Sequence, residues 1–175
     1  MTDTTTLVVS DVVDELDERL DEIADEADRA DAGSDDQQRL DQEGVQVDQR
    51  MRSFERAAAE WGPDAELTIA ALSPGDRAQF GDLLAAARNQ QTIETEGRNL
   101  RDLYWVAAGL VDAPFLEGGE SIQQRVVALR DLDPWAWQLI QHLKEEVTRV
   151  NSLDAGNRSS YAERRSGNQQ AQTQR

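Results

Sequence analysis

Apolar residues recur every three or four positions through most of this chain, and that spacing is what most constrains its fold. Near the N-terminus the spacing selects seven residues: Val9, Val13, Leu16, Leu20, Ile23, Ala27 and Ala30. A seam of this kind, held for about three heptads, is typical of a helix that packs against another helix. The spacing therefore predicts an α-helical architecture.

A second helical segment follows a polar turn over residues 32–38. Its apolar positions are Leu40, Val47, Met51, Phe54, Ala58 and Trp61, and Gly62-Pro63 ends it. Two helices joined by so short a turn favour an antiparallel hairpin. Parallel self-association of two chains through the first seam is the alternative.

Charge is distributed unevenly along the chain. The 175 residues include 35 acidic and 18 basic ones, for a net charge of −17, and only Lys144 among the basic residues is not arginine. Residues 1–66 hold 21 of the acidic residues and 6 of the basic ones. Such a surface repels nucleic acid and anionic lipid, so neither is expected as a partner. Acidity with so little lysine predicts adaptation to concentrated salt, with an ordinary acidic helical protein as the alternative.

These patterns predict an all-α protein with four regions. An acidic helical hairpin or coiled coil occupies residues 1–62, with residues 1–6 loose, and an extended linker occupies 63–72. The linker includes Ala65–Leu72 (AELTIAAL), which resembles a strand but has no evident sheet to join. A compact bundle of about four helices occupies 73–155. The polar, glutamine-rich residues 156–175 are predicted to be a disordered tail.

The predicted bundle begins at Ser73-Pro74, a helix start signal, and contains a charge-free run from Leu103 to Val111 that suits a buried helix. Within 74–112 the apolar stripe changes face. A helix break at residues 88–92 explains this slightly better than one unbroken helix with two neighbours.

Two further start signals follow in the predicted bundle. Ser121 and Gln124 match a capping box, and Asp133-Pro134 predicts the start of a last helix that ends near Gly156. Asp133 is expected to be its N-cap residue.

The sequence contains no recognisable catalytic, metal or cofactor site. Cysteine is absent, and His142, the only histidine, lies off the apolar stripe of its helix and is predicted to face solvent. Lys144 follows no glycine-rich phosphate loop, and Asp31–Asp36 does not fit a calcium-binding loop. The acidic N-terminus is unlike a signal peptide, and no run is long enough to span a membrane. We therefore expect a non-enzymatic intracellular protein without cofactors.

Four aromatic residues are candidates for a partner-binding surface. Trp105, Trp135 and Trp137 lie beside, rather than within, the apolar stripes of their helices, and Phe115 lies in the loop between helices. Exposed tryptophan is enriched at protein-binding hot spots. The alternative is that these side chains make secondary contacts with the core.

From about Leu72 to Leu153 the chain resembles the tail assembly chaperones of long-tailed viruses with non-contractile tails. The resemblance lies in the order of four features: the start Leu72-Ser-Pro-Gly-Asp-Arg77, a polar helix with Glu94, Glu96 and Arg98, an apolar segment ending in Val111-Asp-Ala-Pro114, and an acidic glycine loop before two helices. It covers about 80 residues and not the acidic N-terminal arm. With the salt-adapted composition, it suggests a virus of a haloarchaeal host.

The resemblance implies a helical protein that binds the tape measure protein in the host cytoplasm while the tail tube polymerises. A protein partner and homo-oligomerisation are expected. The alternative is a protein that stays in the virion, such as a head–tail connector or capsid-associated component, or a scaffolding protein. A cellular helical interaction module is a third hypothesis.

Overall fold

A computed structural model describes residues 4–89 and 100–152 of the chain. This part is 74% helical, which confirms the predicted mostly α-helical class. The helices are α1 (Val9–Arg29), α2 (Asp35–Trp61), α3 (Pro74–Asn89), α4 (Leu100–Gly109), α5 (Ile122–Asp131) and α6 (Trp137–Ser152), and a 3-10 helix covers Pro134–Ala136. The strands are β1 (Thr4–Val8), β2 (Glu66–Ala70) and β3 (Leu110–Asp112).

Helices α1 and α2 form the antiparallel hairpin that the apolar spacing predicts. Ser34 caps α2, since its hydroxyl accepts a hydrogen bond from the Gln37 amide at 3.1 Å. Across the pair, Arg19 contacts the Glu43 carboxylate at 2.7 Å. Four seam-side residues of α1 are buried: Val9, Val12, Leu16 and Ile23. Val9, Leu16 and Ile23 of the predicted seam are thus buried within one chain, whereas Val13, Leu20 and Ala27 are half-buried.

A three-stranded antiparallel sheet lies at the base of this hairpin, with β2 between β1 and β3. Two sequence-based predictions are therefore wrong: residues 63–72 are not simply a linker, and Thr4–Thr6 are not loose. Leu67 and Ile69 of β2 are fully buried. Strand β2 forms because it pairs with β1, about 60 residues earlier in the chain, and with β3 on its other edge. The local sequence indicates neither pairing.

The charge-free run Leu103–Val111 is a helix only as far as Gly109. Leu110–Asp112 then turns into β3 and pairs with β2, with a register shift between Thr68 and Ile69. The prediction of one buried helical segment is therefore corrected. The backbone of Leu110–Asp112 pairs with β2 and does not continue the helix.

One hydrophobic core joins both halves of the chain. Its buried residues come from the hairpin base, the sheet, α4, α5 and α6: Val9, Val12, Leu16, Phe54, Ala57, Leu67, Ile69, Leu103, Val106, Ala107, Leu110, Ala113, Ile122, Val126, Leu129, Leu139, Ile140, Leu143, Val147 and Val150. The Arg50 guanidinium adds a two-bond ion pair to Glu145 of α6, at 2.8 Å for each bond. The core therefore crosses the predicted boundary at residues 62–72.

The last two helices begin at their predicted signals, with one difference. Ser121 and Gln124 form a complete capping box at the start of α5. Asp133-Pro134 opens the 3-10 helix rather than α6, and the Asp133 side chain makes no capping hydrogen bond there. Asp133 thus occupies the N-cap position, as predicted, of the 3-10 helix that leads directly into α6, but its side chain does not cap it.

Three predictions concern residues that lie partly or wholly outside the described part of the chain. Helix α3 includes residues 88 and 89, but residues 90–92 of the predicted break are not described. The helix end at Gly156 and the disordered tail 156–175 are not described either.

We predict opposite effects for alanine at two helical glycines. A Cβ atom on Gly109 would lie 2.7 Å from both methyl groups of buried Val147, whereas one on Gly44 would lie 3.5 Å from the Ile23 Cγ2 atom. Overpacking is expected to lower the free energy of unfolding of Gly109→Ala by about 1–3 kcal/mol. Gly44→Ala is expected to raise it by about 0.5–1 kcal/mol through helix propensity. Urea denaturation measures both, and equal effects would contradict the close approach at Gly109.

We also predict that the hairpin tip responds to salt more than α6 does. Helix α1 carries ten acidic residues and only Arg19 and Arg29 as basic ones, and like charges four apart repel one another. Salt screens this repulsion, since the Debye length falls from about 30 Å at 0.01 M to about 3 Å at 1 M. Amide hydrogen exchange in residues 20–45 should therefore slow markedly between these salt concentrations. An equal change in α6 would contradict a local charge effect.

Candidate protein-binding surfaces

Two of the predicted aromatic residues meet in one cluster at the hairpin base. Phe115 and Trp135 both contact the Trp61 ring, with ring centroids 5.3 Å and 5.5 Å from it. All three rings are half-buried against the core. The prediction missed Trp61 as a member, because its position in the apolar stripe of α2 marks it only as a core residue. The cluster joins the end of α2 to the loop before α5 and to the 3-10 helix.

A serine fixes the backbone beside this cluster. The hydroxyl of buried Ser53 donates to the Trp135 carbonyl at 2.6 Å and accepts from the Leu139 amide at 3.1 Å. The buried Trp135 Nε1 atom finds no hydrogen-bond partner among the residues the structure describes. Trp135 is therefore held by its backbone and by ring contacts.

Trp105 makes a separate set of contacts. The Trp105 indole donates from Nε1 to the Thr148 hydroxyl at 3.0 Å and meets the Phe80 ring edge-on, with centroids 5.3 Å apart. These contacts link α4 to α6 and α3. Trp137 is half-buried against the core. The four candidates thus do not form a single surface, and their binding of a partner stays a prediction.

A concave groove, here called the core groove, lies between α3, α4 and α5. It measures about 300 Å³ and is lined by Leu83, Ala86, Ala87, Leu100, Leu103, Tyr104, Gln123, Val126, Val127 and Arg130. Val127 is 45% exposed at its edge. Half of this lining comes from the two apolar faces within residues 74–112: Leu83 and Ala87 from one face, and Leu100, Leu103 and Tyr104 from the other.

Arg125 holds α5 in place beside this groove. Its guanidinium donates to the carbonyl oxygens of Ala107, at 2.9 Å, and of Leu110, where α4 ends. It also donates to the Glu120 carbonyl at 3.0 Å and 3.1 Å, which secures the preceding loop. Burial lowers the pKa of Arg125, against the opposing effect of the Glu120 charge. These bonds satisfy carbonyls that the helix end leaves free.

A second groove lies toward the tip of the hairpin and is here called the hairpin groove. It measures about 440 Å³, is shallower, and is lined by Leu20, Ile23, Ala24, Ala27, Leu40, Asp41, Gly44, Val45, Asp48 and Arg52. Val45 is 57% exposed, which is more than any other large hydrophobic residue among those described. Sequence analysis missed this surface, since Val45 falls outside the apolar stripe of the second helix.

His142 does not face solvent as predicted. Its ring is half-buried and meets the Phe54 ring edge-on at a centroid distance of 5.0 Å. The prediction failed because α2 crosses α6 on this side and covers a position that lies off the main apolar stripe. Burial lowers the pKa of His142, and the nearby Arg50 charge lowers it further.

Charged side chains of α6 near His142 shift its pKa in both directions. Glu145 and Glu146 raise its pKa and Arg149 lowers it, but these effects are smaller than that of burial. Lys144, two residues further along α6 from His142, contacts the buried Asp102 carboxylate at 2.9 Å. The lysine is thus part of an interhelical ion pair.

We predict that His142 makes the stability of the fold depend on pH. Its folded-state pKa is lowered, so the unfolded chain binds a proton first as the pH falls below about 6.5. The free energy of unfolding should therefore fall between about pH 7 and pH 5, by at most about 1.4 kcal/mol per pH unit from this group. His142→Gln should show a smaller fall in urea titrations at each pH. Identical slopes would contradict this assignment.

Among residues 4–89 and 100–152, no group of three or more histidine, aspartate or glutamate side chains is placed to hold a metal ion. No helix in the same ranges has the length and apolar character needed to cross a membrane. The chain matches no protein-family model, and no curated protein or solved structure is significantly similar to it.

Proposed function

We propose that the chain is a non-enzymatic assembly protein, a tail assembly chaperone that binds the tape measure protein of a long-tailed virus during tail tube formation. The observation that carries the proposal is the open, mainly aliphatic core groove between α3, α4 and α5. The resemblance of residues 72–153 to that family supplies the identity of the partner.

The lining of the core groove suits side chains of a helical partner. Its floor consists of leucine, valine and alanine side chains, with polar groups from Tyr104, Gln123 and Arg130. Grooves of this kind take anchors spaced three or four residues apart on an amphipathic helix. Its volume lies at the lower end of the range for small-molecule pockets, about 300–1,000 Å³, so a few side chains fill it.

The surroundings of the ionisable residues favour binding over catalysis. His142 packs on Phe54, and Lys144 pairs with Asp102, so neither side chain is among those that line the core groove. General acid–base catalysis most often uses histidine, a carboxylate or lysine within hydrogen-bond reach of a substrate, and the lining of the core groove offers only the Tyr104 hydroxyl in their place. The groove offers apolar contact area to a partner instead.

The first test is co-purification with the tape measure protein. The proposal expects a gene for that protein beside the gene of this chain, and co-expression should yield a complex. Val127→Gln should reduce the amount of partner retained about tenfold, because it places a polar group at the edge of the core groove. Val111→Gln is the matched control, since Val111 is 47% exposed in β3 and lies outside both grooves.

The outcomes of this test separate the hypotheses. Absence of a complex, or an equal loss with Val127→Gln and Val111→Gln, would overturn binding through the core groove. Mass spectrometry of purified virions is expected to find none of this chain. Its presence in stoichiometric amounts would favour a permanent virion component.

A further inference from the structure

The hairpin groove combines a partly exposed apolar stripe with acidic margins. The stripe runs along Leu20, Ala24 and Ala27 of α1 and Val45 of α2. Asp41 and Asp48 line the margin on α2, where Arg52 pairs with Asp48 at 3.0 Å.

The margin on α1 is acidic as well. At 100° per residue, Asp17, Asp21 and Asp28 lie within about 60° of Ala24 on the side of α1 that borders the groove. All three side chains belong to exposed residues. The stripe is therefore flanked by five aspartates and a single arginine.

We propose that the hairpin groove is a docking surface for an amphipathic helix of another protein whose apolar stripe is flanked by arginine or lysine. Apolar side chains at positions i, i+3, i+4 and i+7 of that helix cover Val45 and the α1 stripe. Its basic margins face the aspartates on both sides, which sets the orientation and speeds association. The proposal stands on the hairpin alone and does not depend on the function proposed above.

Charge and composition argue against two other occupants. A second copy would bring another acidic hairpin, because α1 carries ten acidic residues and two arginines. The basic C-terminal residues 156–175 contain four arginines, but their apolar residues are only Tyr161, Ala162 and Ala171. That segment has no apolar stripe to place in the groove.

The test uses the full chain and a designed, fluorescently labelled peptide of about three heptads. The peptide has leucine at the stripe positions and arginine on both margins, and binding is followed by fluorescence anisotropy. One control peptide has glutamate in place of arginine, and another has the same composition in scrambled order. The arginine-flanked peptide is expected to bind, more weakly as salt rises, and both control peptides at least about tenfold less tightly.

Matched variants identify the surface that binds. Val45→Gln should weaken peptide binding about tenfold without changing the charge, whereas Val127→Gln and Val111→Gln should leave it unchanged. The double variant Asp21→Asn with Asp41→Asn should weaken binding about tenfold and flatten its salt dependence. Glu15→Gln with Glu18→Gln makes the same change in charge on the opposite side of α1 and should have little effect.

Three results would overturn the proposal. The first is no binding of the arginine-flanked peptide at low salt. The second is equally tight binding of the scrambled peptide, or an equal loss of peptide affinity in the Asp21→Asn/Asp41→Asn and Glu15→Gln/Glu18→Gln double variants. Either result indicates non-specific attraction to an acidic surface. The third is a dimer in sedimentation analysis that Val45→Gln dissociates, which makes a second copy the occupant. Circular dichroism checks that each variant remains folded.

Discussion

Strand β2 is the constraint on which the rest of the architecture depends. A five-residue strand cannot stand alone, because its backbone N–H and C=O groups need partners on both edges once Leu67 and Ile69 are buried. The partners lie on either side of β2 in sequence: β1 precedes α1, and β3 follows α4. Satisfying β2 therefore fixes the base of the acidic hairpin against the helices that follow. The Arg50–Glu145 ion pair and the Trp61 ring contacts then add to a junction that the sheet has already brought together.

The helical part of this architecture could be predicted because its signals are local. The seam from Val9 and the capping box at Ser121 each lie within a few turns of the helix they define. The sheet could not be predicted in the same way. β1 is rich in threonine, β3 has three residues at the end of an apolar run, and β2 looks isolated in sequence. Their stabilisation comes from pairing across about 40 to 60 residues, which no local pattern records.

The binding surfaces show the same division between local and non-local information. Trp135 lies off the stripe of its helix and Phe115 lies in a loop, but neither position indicates that both rings contact Trp61. The prediction for His142 was wrong because the packing of α2 over α6, and not the stripe of α6 alone, decides what is buried. The change of apolar face within residues 74–112 favours a helix break, but it does not indicate that residues of both faces line one groove with α5. The hairpin groove could not be predicted from the sequence, because Val45 becomes part of an apolar surface only where α2 packs beside α1.

The close approach of α4 to α6 has a consequence for how this sequence can vary over evolution. The helices meet where Gly109 leaves room for the methyl groups of Val147, with no space for even one more carbon atom. Any side chain at position 109 therefore requires a smaller residue at position 147, or a wider separation that would expose the core. The two positions should covary among homologous sequences, with glycine at 109 accompanying a β-branched residue at 147. Such a pair would mark this helix crossing even where the rest of the sequence has diverged.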